Sequence, residues 1–268
     1  MLVNRSEMEA ALKAIPFYQV HPEYIPFIGN HYDRYRILQV GESHYIGQKA
    51  KGEKDKFPIT YFKNWWNDHC DELYKWEDDN QENGCWGGWY DTRGVVKNFI
   101  ANRSTGGYNI FANMVRSFDV VYGDGQVSMD AEARQRYHYF AFMNFFQMPA
   151  LYDGKNFWNS LLRSAQKLGK EPLAGDMWKK AVDVSSDTLS RVIDILKPEL
   201  VIITSVSAYN AYHEKHGDDP RIIRATHPCC CWWNRKHGQD HLSGRERLEN
   251  TLRAMKAAKD SKYTFSRR

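Results

Sequence analysis

The sequence of 268 residues lacks several features that would place it in a specialised class. It has no run of 18 consecutive apolar residues, so we expect no membrane-spanning helix. Its N-terminus has no apolar segment typical of a secretory signal, because Asn4, Arg5, Glu7 and Glu9 interrupt it. No internal repeat or low-complexity tract occurs. These absences predict a soluble, cytoplasmic protein, which we expect to be a monomer.

Cysteine is scarce, and its spacing is not that of a disulfide-rich protein. The chain has five cysteines, an odd number, and Cys229, Cys230 and Cys231 are contiguous. Secreted disulfide scaffolds instead have paired cysteines at regular spacings. The pattern therefore predicts reduced thiols in a cytoplasm.

Acidic residues are scarce in the last fifth of the chain. Residues 221–268 hold 12 Lys or Arg and 4 Asp or Glu, a net charge of +8, whereas the whole chain carries +4. A basic segment of this kind predicts attraction to a polyanion such as nucleic acid. A solvated basic helix and tail accounts for the same composition equally well.

Length and composition favour one α/β domain, since 268 residues with 42% hydrophobic content can bury a sizeable core. Ser6 and Glu9 form an S-x-x-E capping box, which predicts a first helix from about residue 7 to residue 15. Ser243 and Glu246 form a second box, which predicts a C-terminal helix.

Hydrophobic patterning between these ends predicts strands that alternate with helices. The predicted strands cover about residues 35–40, 139–149, 198–205 and 221–226, and the predicted helices cover residues 61–75, 110–118, 185–196 and 208–216. Such alternation implies right-handed crossovers and a parallel sheet. We therefore expect a single three-layer α/β domain with a central four-stranded parallel sheet flanked by helices.

Two segments lie outside this alternation. A helical arm is predicted for residues 1–34, and a tryptophan-rich insertion is predicted for about residues 46–98. The tryptophans of the insertion are expected to pack onto the core. Stacking on nucleic-acid bases is the alternative use of such aromatic side chains.

Polar residues cluster where the four predicted strands end. These ends read GESHY at 41–45, NFFQMP at 144–149, SVSAY at 205–209 and THPCCCWW at 226–233. Ligand sites of open parallel sheets lie beyond the carboxyl ends of the strands. The four stretches are therefore expected to meet at one site.

Taken in order, these stretches resemble the motifs of the uracil-DNA glycosylase superfamily. Its first motif reads G-Q-D-P-Y in one family and G-E-[AG]-P-G in another, and residues 41–45 stand in its place. Asn144 corresponds to the asparagine of N-V-V-K-C-R-P-P, and residues 199–208 correspond to D-x-V-x-x-x-G-x-x-A. His227 and Pro228 match the start of the last motif, H-P-S-x.

The resemblance covers about residues 36–257 and implies a glycosylase-like fold that acts on or binds a modified base in DNA. The first motif is a hybrid, because Glu42 matches the G-E form and Tyr45 matches the G-Q-D-P-Y form. Ser43 replaces the catalytic aspartate of the second form, and His44 replaces the usual proline.

The family with the G-E motif holds an iron–sulfur cluster through four spaced cysteines. Here no cysteine precedes Cys70, so we predict neither a cluster nor another metal or cofactor. Cys70, Cys85 and the triplet at 229–231 remain open as ligands. The histidines at positions 44, 213, 216, 237 and 241 are expected at the surface or in loops.

Cleavage of the bond between a pyrimidine and its sugar develops positive charge on the sugar and negative charge on the base. Glu42 is the predicted catalytic anion near the sugar, and His227 is the predicted donor to the base. Asn144 offers a paired donor and acceptor for the edge of a flipped base. The predicted base-binding set is completed by Ser43 and by the aromatic residues Tyr45 and Phe146.

The segment after His227 predicts contact with DNA. Trp232 and Trp233 would act as an aromatic wedge, and Arg235 and Lys236 would neutralise phosphates. Packing is the alternative role of the two tryptophans.

Two other functions fit the same residues. A domain that has lost catalysis would only bind nucleic acid or a nucleotide. An esterase would use Ser43 as nucleophile and His227 as base, although Arg224 occupies the position where such enzymes carry an orienting aspartate.

Overall fold

The structure is a computed structural model that describes residues 4–45, 62, 64–69, 71, 91–101, 108–123, 125, 129–150, 156–167 and 169–265. The side chains of residues 45 and 262–265 are not described. Most of the predicted tryptophan-rich insertion, together with Cys70 and Cys85, lies outside the described residues.

The fold is α/β, with a mixed five-stranded sheet flanked by helices. Its strands are β1 (Phe27–Ile28), β2 (Ile37–Tyr45), β3 (Phe140–Ala150), β4 (Leu200–Ile203) and β5 (Ile222–Arg224), in the order β1-β3-β2-β4-β5. β2 pairs parallel with β3 and β4, β4 pairs parallel with β5, and β1 pairs antiparallel with β3. The four predicted strands thus pair in parallel, but β1 adds an antiparallel fifth strand, so the sheet is mixed and the expected four-stranded parallel sheet is not found. β1 escaped prediction because two residues are too few for a periodic pattern.

Helices cover both faces of the sheet. They are α1 (Arg5–Lys13), α2 (Pro16–Val20), α3 (Tyr32–Tyr35), α4 (Thr92–Ile100), α5 (Asn109–Tyr122), α6 (Ala131–Gln135), α7 (Phe157–Lys167), α8 (Glu171–Leu196), α9 (Val206–His216) and α10 (Gly244–Phe265). Residues 1–34, predicted as a helical arm, thus include β1 as well as helices.

The core lies in two clusters, one on each face of the sheet, because side chains alternate along a strand. Leu38 and Val40 pack in one cluster with α1, α7, α8 and α9, whereas Ile37 packs in the other with α4, α5 and α10. The β4 strand, LVII, is buried along its whole length, as expected for a strand covered on both faces.

The two predicted capping boxes differ in outcome. Ser243 and Glu246 exchange hydrogen bonds of 2.7 and 3.2 Å at the start of α10, which confirms the second box. The first box is wrong. Asn4 caps α1 by accepting the backbone N–H of Ser6 at 3.0 Å, so the helix begins at Arg5. Asparagine is one of the strongest N-cap residues, and it precedes the serine in the chain.

Candidate active site

A cavity opens where the strand order reverses. From β2 the chain moves to β3 on one side, and from β4 it moves to β5 on the other side. At such a switch point a crevice forms beyond the carboxyl ends of the two adjacent strands, here β2 and β4, because their crossovers run in opposite directions. The cavity there has a volume of about 1050 Å³. Its polar lining includes Glu42, Ser205, Ser207, Arg224, His227, His237 and Arg247.

Glu42 follows the buried part of β2 and is half-buried at the cavity. Its Oε1 atom accepts the backbone N–H of Phe157 at 2.7 Å, and its Oε2 atom accepts the hydroxyl of Ser205 at 2.9 Å. Phe157 begins α7, and Ser205 is the N-cap of α9. The carboxylate therefore lies at the N-termini of two helices, where the helix dipoles favour a negative charge.

His227 lies in the loop after β5 and lines the same cavity. Burial lowers the pKa of its imidazole below the ordinary value. The backbone N–H of Cys229 donates to His227 Nδ1 at 3.1 Å, so Nδ1 carries the lone pair. The neutral ring then carries its proton on Nε2, which makes Nε2–H a hydrogen-bond donor.

Asn144 lies on β3 directly beside Gly41 of β2, and 8% of it is exposed. A Cβ atom at position 41 would overlap the Asn144 Oδ1 atom, so the amide group lies against the backbone of β2. Among the described residues, no hydrogen bond to the Asn144 amide is found, and Asn144 does not line the cavity. The structure thus places Glu42 and His227 at the same cavity, whereas Asn144 lies on β3 beside Gly41 and outside the cavity lining. The expectation that all four strand ends meet at one site is therefore wrong for residues 144–149.

The remaining predicted base-binding residues have different environments. Phe146 is fully buried and stacks on Phe157 with ring centroids 4.2 Å apart, so its predicted base-stacking role is wrong. Ser43 is buried, and its Oγ atom has no hydrogen-bond partner in the part of the chain described. The side chain of Tyr45 lies outside the described part. His44 was expected at the surface but is buried, with its Nε2 atom 3.0 Å from Thr92 Oγ1.

The two adjacent tryptophans point to opposite environments. Trp232 lines the cavity and is 47% exposed, whereas Trp233 is 1% exposed and packs in the core with α5 and α10. The predicted wedge role of Trp233 is therefore wrong. The adjacent residues Cys231–Trp233 form a 3-10 helix, in which consecutive side chains point in different directions. Arg235 and Lys236 are exposed, and Lys236 Nζ lies 3.9 Å from Glu246 Oε1.

A network that the sequence patterns did not reveal holds the cavity rim together. Arg247 donates to both oxygens of Asp240 at 2.6 and 2.8 Å and to the carbonyl of His237 at 2.6 Å. Hydrogen bonding to Arg247 holds the pKa of the Asp240 carboxyl well below its usual range. The Arg247 guanidinium therefore fixes the loop after Lys236 onto α10.

Other cations in the basic last fifth of the chain are also engaged within the fold. Arg253 pairs with Glu249 at 3.3 Å, Lys259 pairs with Glu199 at 2.8 Å, and Lys256 donates to the carbonyl of Val121 at 2.8 Å. Part of the positive charge of this segment thus stabilises the packing of α10.

Comparisons with known proteins add no relative. No family model, curated protein or solved structure matches this chain significantly.

Within the described ranges, no group of three His, Cys, Asp or Glu side chains is arranged to hold a metal ion. No helix in the described part of the chain has both the length and the apolar character needed to cross a bilayer.

Proposed function

We propose that this protein is a DNA glycosylase-like protein that flips uracil or another modified base out of DNA and hydrolyses its N-glycosidic bond. The observation that carries the proposal is the shared cavity of Glu42 and His227 at the switch point of the sheet. The strand-end motifs around these residues are the ones that resemble the uracil-DNA glycosylase superfamily.

The two groups suit the charges of this reaction. The Glu42 carboxylate stabilises the positive sugar and orients the water that attacks the anomeric carbon. The bonding electrons leave with the base, and the Nε2–H group of His227 donates to the base oxygen that gains negative charge. The attacking water loses its proton to Glu42, and the base anion takes a proton from solvent. The Glu42 carboxylate is an anion and the His227 Nε2–H group is a hydrogen-bond donor, and both are already in place before the reaction. The site therefore needs little reorganisation as the charges on the sugar and the base develop.

Recognition of the base and the strand is assigned to neighbouring residues. The amide of Asn144 has the donor and acceptor that suit the edge of a pyrimidine, but it lies against the backbone of β2 outside the cavity lining, so the geometry gives the base-reading role of Asn144 no support. Trp232 is exposed at the cavity and offers a ring on which a base stacks. Arg235 and Lys236 follow it at the surface and neutralise phosphates.

An esterase that uses Ser43 has no support from the geometry. The Ser43 hydroxyl is buried and, among the described residues, accepts or donates no hydrogen bond, so His227 does not activate it. A nucleophilic serine requires a base within hydrogen-bond reach.

Uracil excision from a labelled single-stranded oligonucleotide tests the proposal. Glu42→Gln should lower the excision rate at least about a hundredfold, because one well-placed electrostatic group contributes about 3–4 kcal/mol. Glutamine keeps the length of the side chain, and the Ser205 hydroxyl can accept its amide N–H. Ser43→Ala should lower the rate far less. Full activity of Glu42→Gln would overturn the catalytic assignment.

A binding experiment on the same oligonucleotide separates a catalyst from a protein that only binds. Neutralisation of Arg235 and Lys236 by glutamine should weaken binding and flatten its salt dependence by about one unit for each phosphate that the protein no longer neutralises. Affinity without turnover in any variant would show a binding protein. Absence of binding at low salt would contradict both versions of the proposal.

A further inference from the structure

The Glu42 side chain needs external support to act as a fixed anion. A glutamate has several rotatable bonds, so ordering its side chain carries an entropic penalty. Among the described residues, two donors hold the carboxylate, one on each oxygen: the Phe157 N–H at 2.7 Å and the Ser205 hydroxyl at 2.9 Å. Because the donors act on different oxygens, they fix the rotation of the carboxylate as well as its position.

The direction of the Ser205 hydrogen bond follows from its second contact. Ser205 is 4% exposed and caps α9, where its Oγ atom accepts the N–H of Ala208 at 3.2 Å. An ionised carboxylate only accepts hydrogen bonds, so the single hydroxyl proton of Ser205 points to Glu42. The serine therefore links the first turn of α9 to the carboxylate.

We propose that Ser205 is a positioning residue for Glu42, which it holds in the orientation that serves the reacting sugar and its water. This inference rests on the proposed glycosylase function. Each Glu42 oxygen uses one acceptor site for its fixed donor, and the carboxylate lines the cavity with its remaining acceptor capacity. Ser205 makes the side-chain hydrogen bond to Glu42 that mutation can remove, since the other donor is a backbone group.

The test compares serine variants at two helix N-caps. Ser205→Gly removes the donor to Glu42, and glycine is itself an acceptable N-cap residue, so α9 is only slightly destabilised. Ser205→Thr keeps a hydroxyl donor and should restore activity. The control is Ser243→Gly, which removes the buried serine N-cap of α10. Ser243 makes no hydrogen bond to Glu42, so this variant tests the loss of a helix cap alone. Thermal unfolding of all four proteins verifies that each is folded.

We expect Ser205→Gly to lower kcat for uracil excision about tenfold or more, since the carboxylate no longer receives a hydrogen bond that its charge strengthens. KM should change less than twofold, because the residue acts on the carboxylate and not on the substrate. Ser243→Gly should keep the kcat and the KM of the unmodified protein.

Two outcomes would overturn the inference: an unchanged kcat in Ser205→Gly, or an equal reduction of kcat in Ser243→Gly. If the unmodified protein excises nothing, the proposed function fails and the positioning role is tested by NMR of ¹³C-labelled glutamate carboxyl groups. The signal absent from Glu42→Gln identifies Glu42. Its ¹³C chemical shift should differ between Ser205→Gly and the unmodified protein and should stay unchanged in Ser243→Gly. An identical chemical shift in all three proteins would refute the role of Ser205.

Discussion

The contact between Gly41 and Asn144 makes a sharp prediction about the candidate site. In Gly41→Ala the new methyl group would overlap the Asn144 Oδ1 atom, and it would lie 3.3 Å from a ring carbon of Phe142. The buried amide must then leave its place, and overpacking of this kind destabilises a protein by about 1–3 kcal/mol. Urea denaturation should show this destabilisation as a lower midpoint with an unchanged slope.

A double-mutant cycle assigns that destabilisation to the overlap. In an Asn144→Ala background the clashing oxygen is absent, so the same glycine substitution should destabilise much less, with a coupling energy of about 1–3 kcal/mol. Gly175→Ala is the matched control, because a Cβ atom there meets nothing within 4 Å. That helical substitution should be neutral or stabilise the protein by up to about 1 kcal/mol. Additive effects of Gly41→Ala and Asn144→Ala would refute the placement of the amide against β2.

Two further predictions concern the loop after β5. Trp233→Ala should destabilise the fold by about 3–5 kcal/mol, because it empties a buried site, whereas Trp232→Ala should change stability by less than about 0.5 kcal/mol. Equal destabilisation of the two variants in urea denaturation would contradict the opposite environments of the two side chains. Under the proposed function, Trp232→Ala should also weaken binding of single-stranded DNA by about 1–3 kcal/mol. Burial lowers the pKa of His227 below its ordinary value of 6.5. The neutral ring therefore makes its full contribution to the free energy of unfolding above pH 6.5, and this contribution is lost as the pH falls toward the lowered pKa. Denaturation at pH 5 and pH 7 should therefore show a smaller acid-induced decrease in stability in His227→Gln, and equal decreases in the two proteins would contradict a buried neutral imidazole.

The strongest local patterns in the sequence predicted their elements well. The β-branched run of β4 and the helix after it appear where expected, at Leu200–Ile203 and Val206–His216. The long helix α8 was predicted only for its last part, residues 185–196, although it begins at Glu171. Pro172 lies in the first turn, where proline is favoured, and Ala174, Met177 and Ala181 are buried at helical spacing, so the sequence carries a start signal that the prediction missed.

Side-chain directions near the site were harder to predict than strand positions. The pairing of β2 with β3 shifts register between Ser43 and Tyr45, and Phe145 and Phe146 both pack in the same core cluster. A register irregularity of this kind breaks the regular alternation along a strand. Alternation alone would place Phe146 on the face of Asn144, whereas the structure buries Phe146 in the core cluster that contains Phe145.

The position of the carboxylate in the first motif follows from the faces of β2. Successive residues of a strand point to opposite faces, so Glu42 and Ser43 have different neighbours. Glu42 meets two donors at helix N-termini, whereas Ser43 is buried and has no hydrogen-bond partner among the described residues. A charge at position 43 would therefore be buried without compensation, which is costly, while the same charge at position 42 is stabilised. The supporting serine lies 163 residues away and meets Glu42 because β4 pairs with β2. A local motif identifies the strand end, but the sheet order decides which residue of that motif can hold a negative charge.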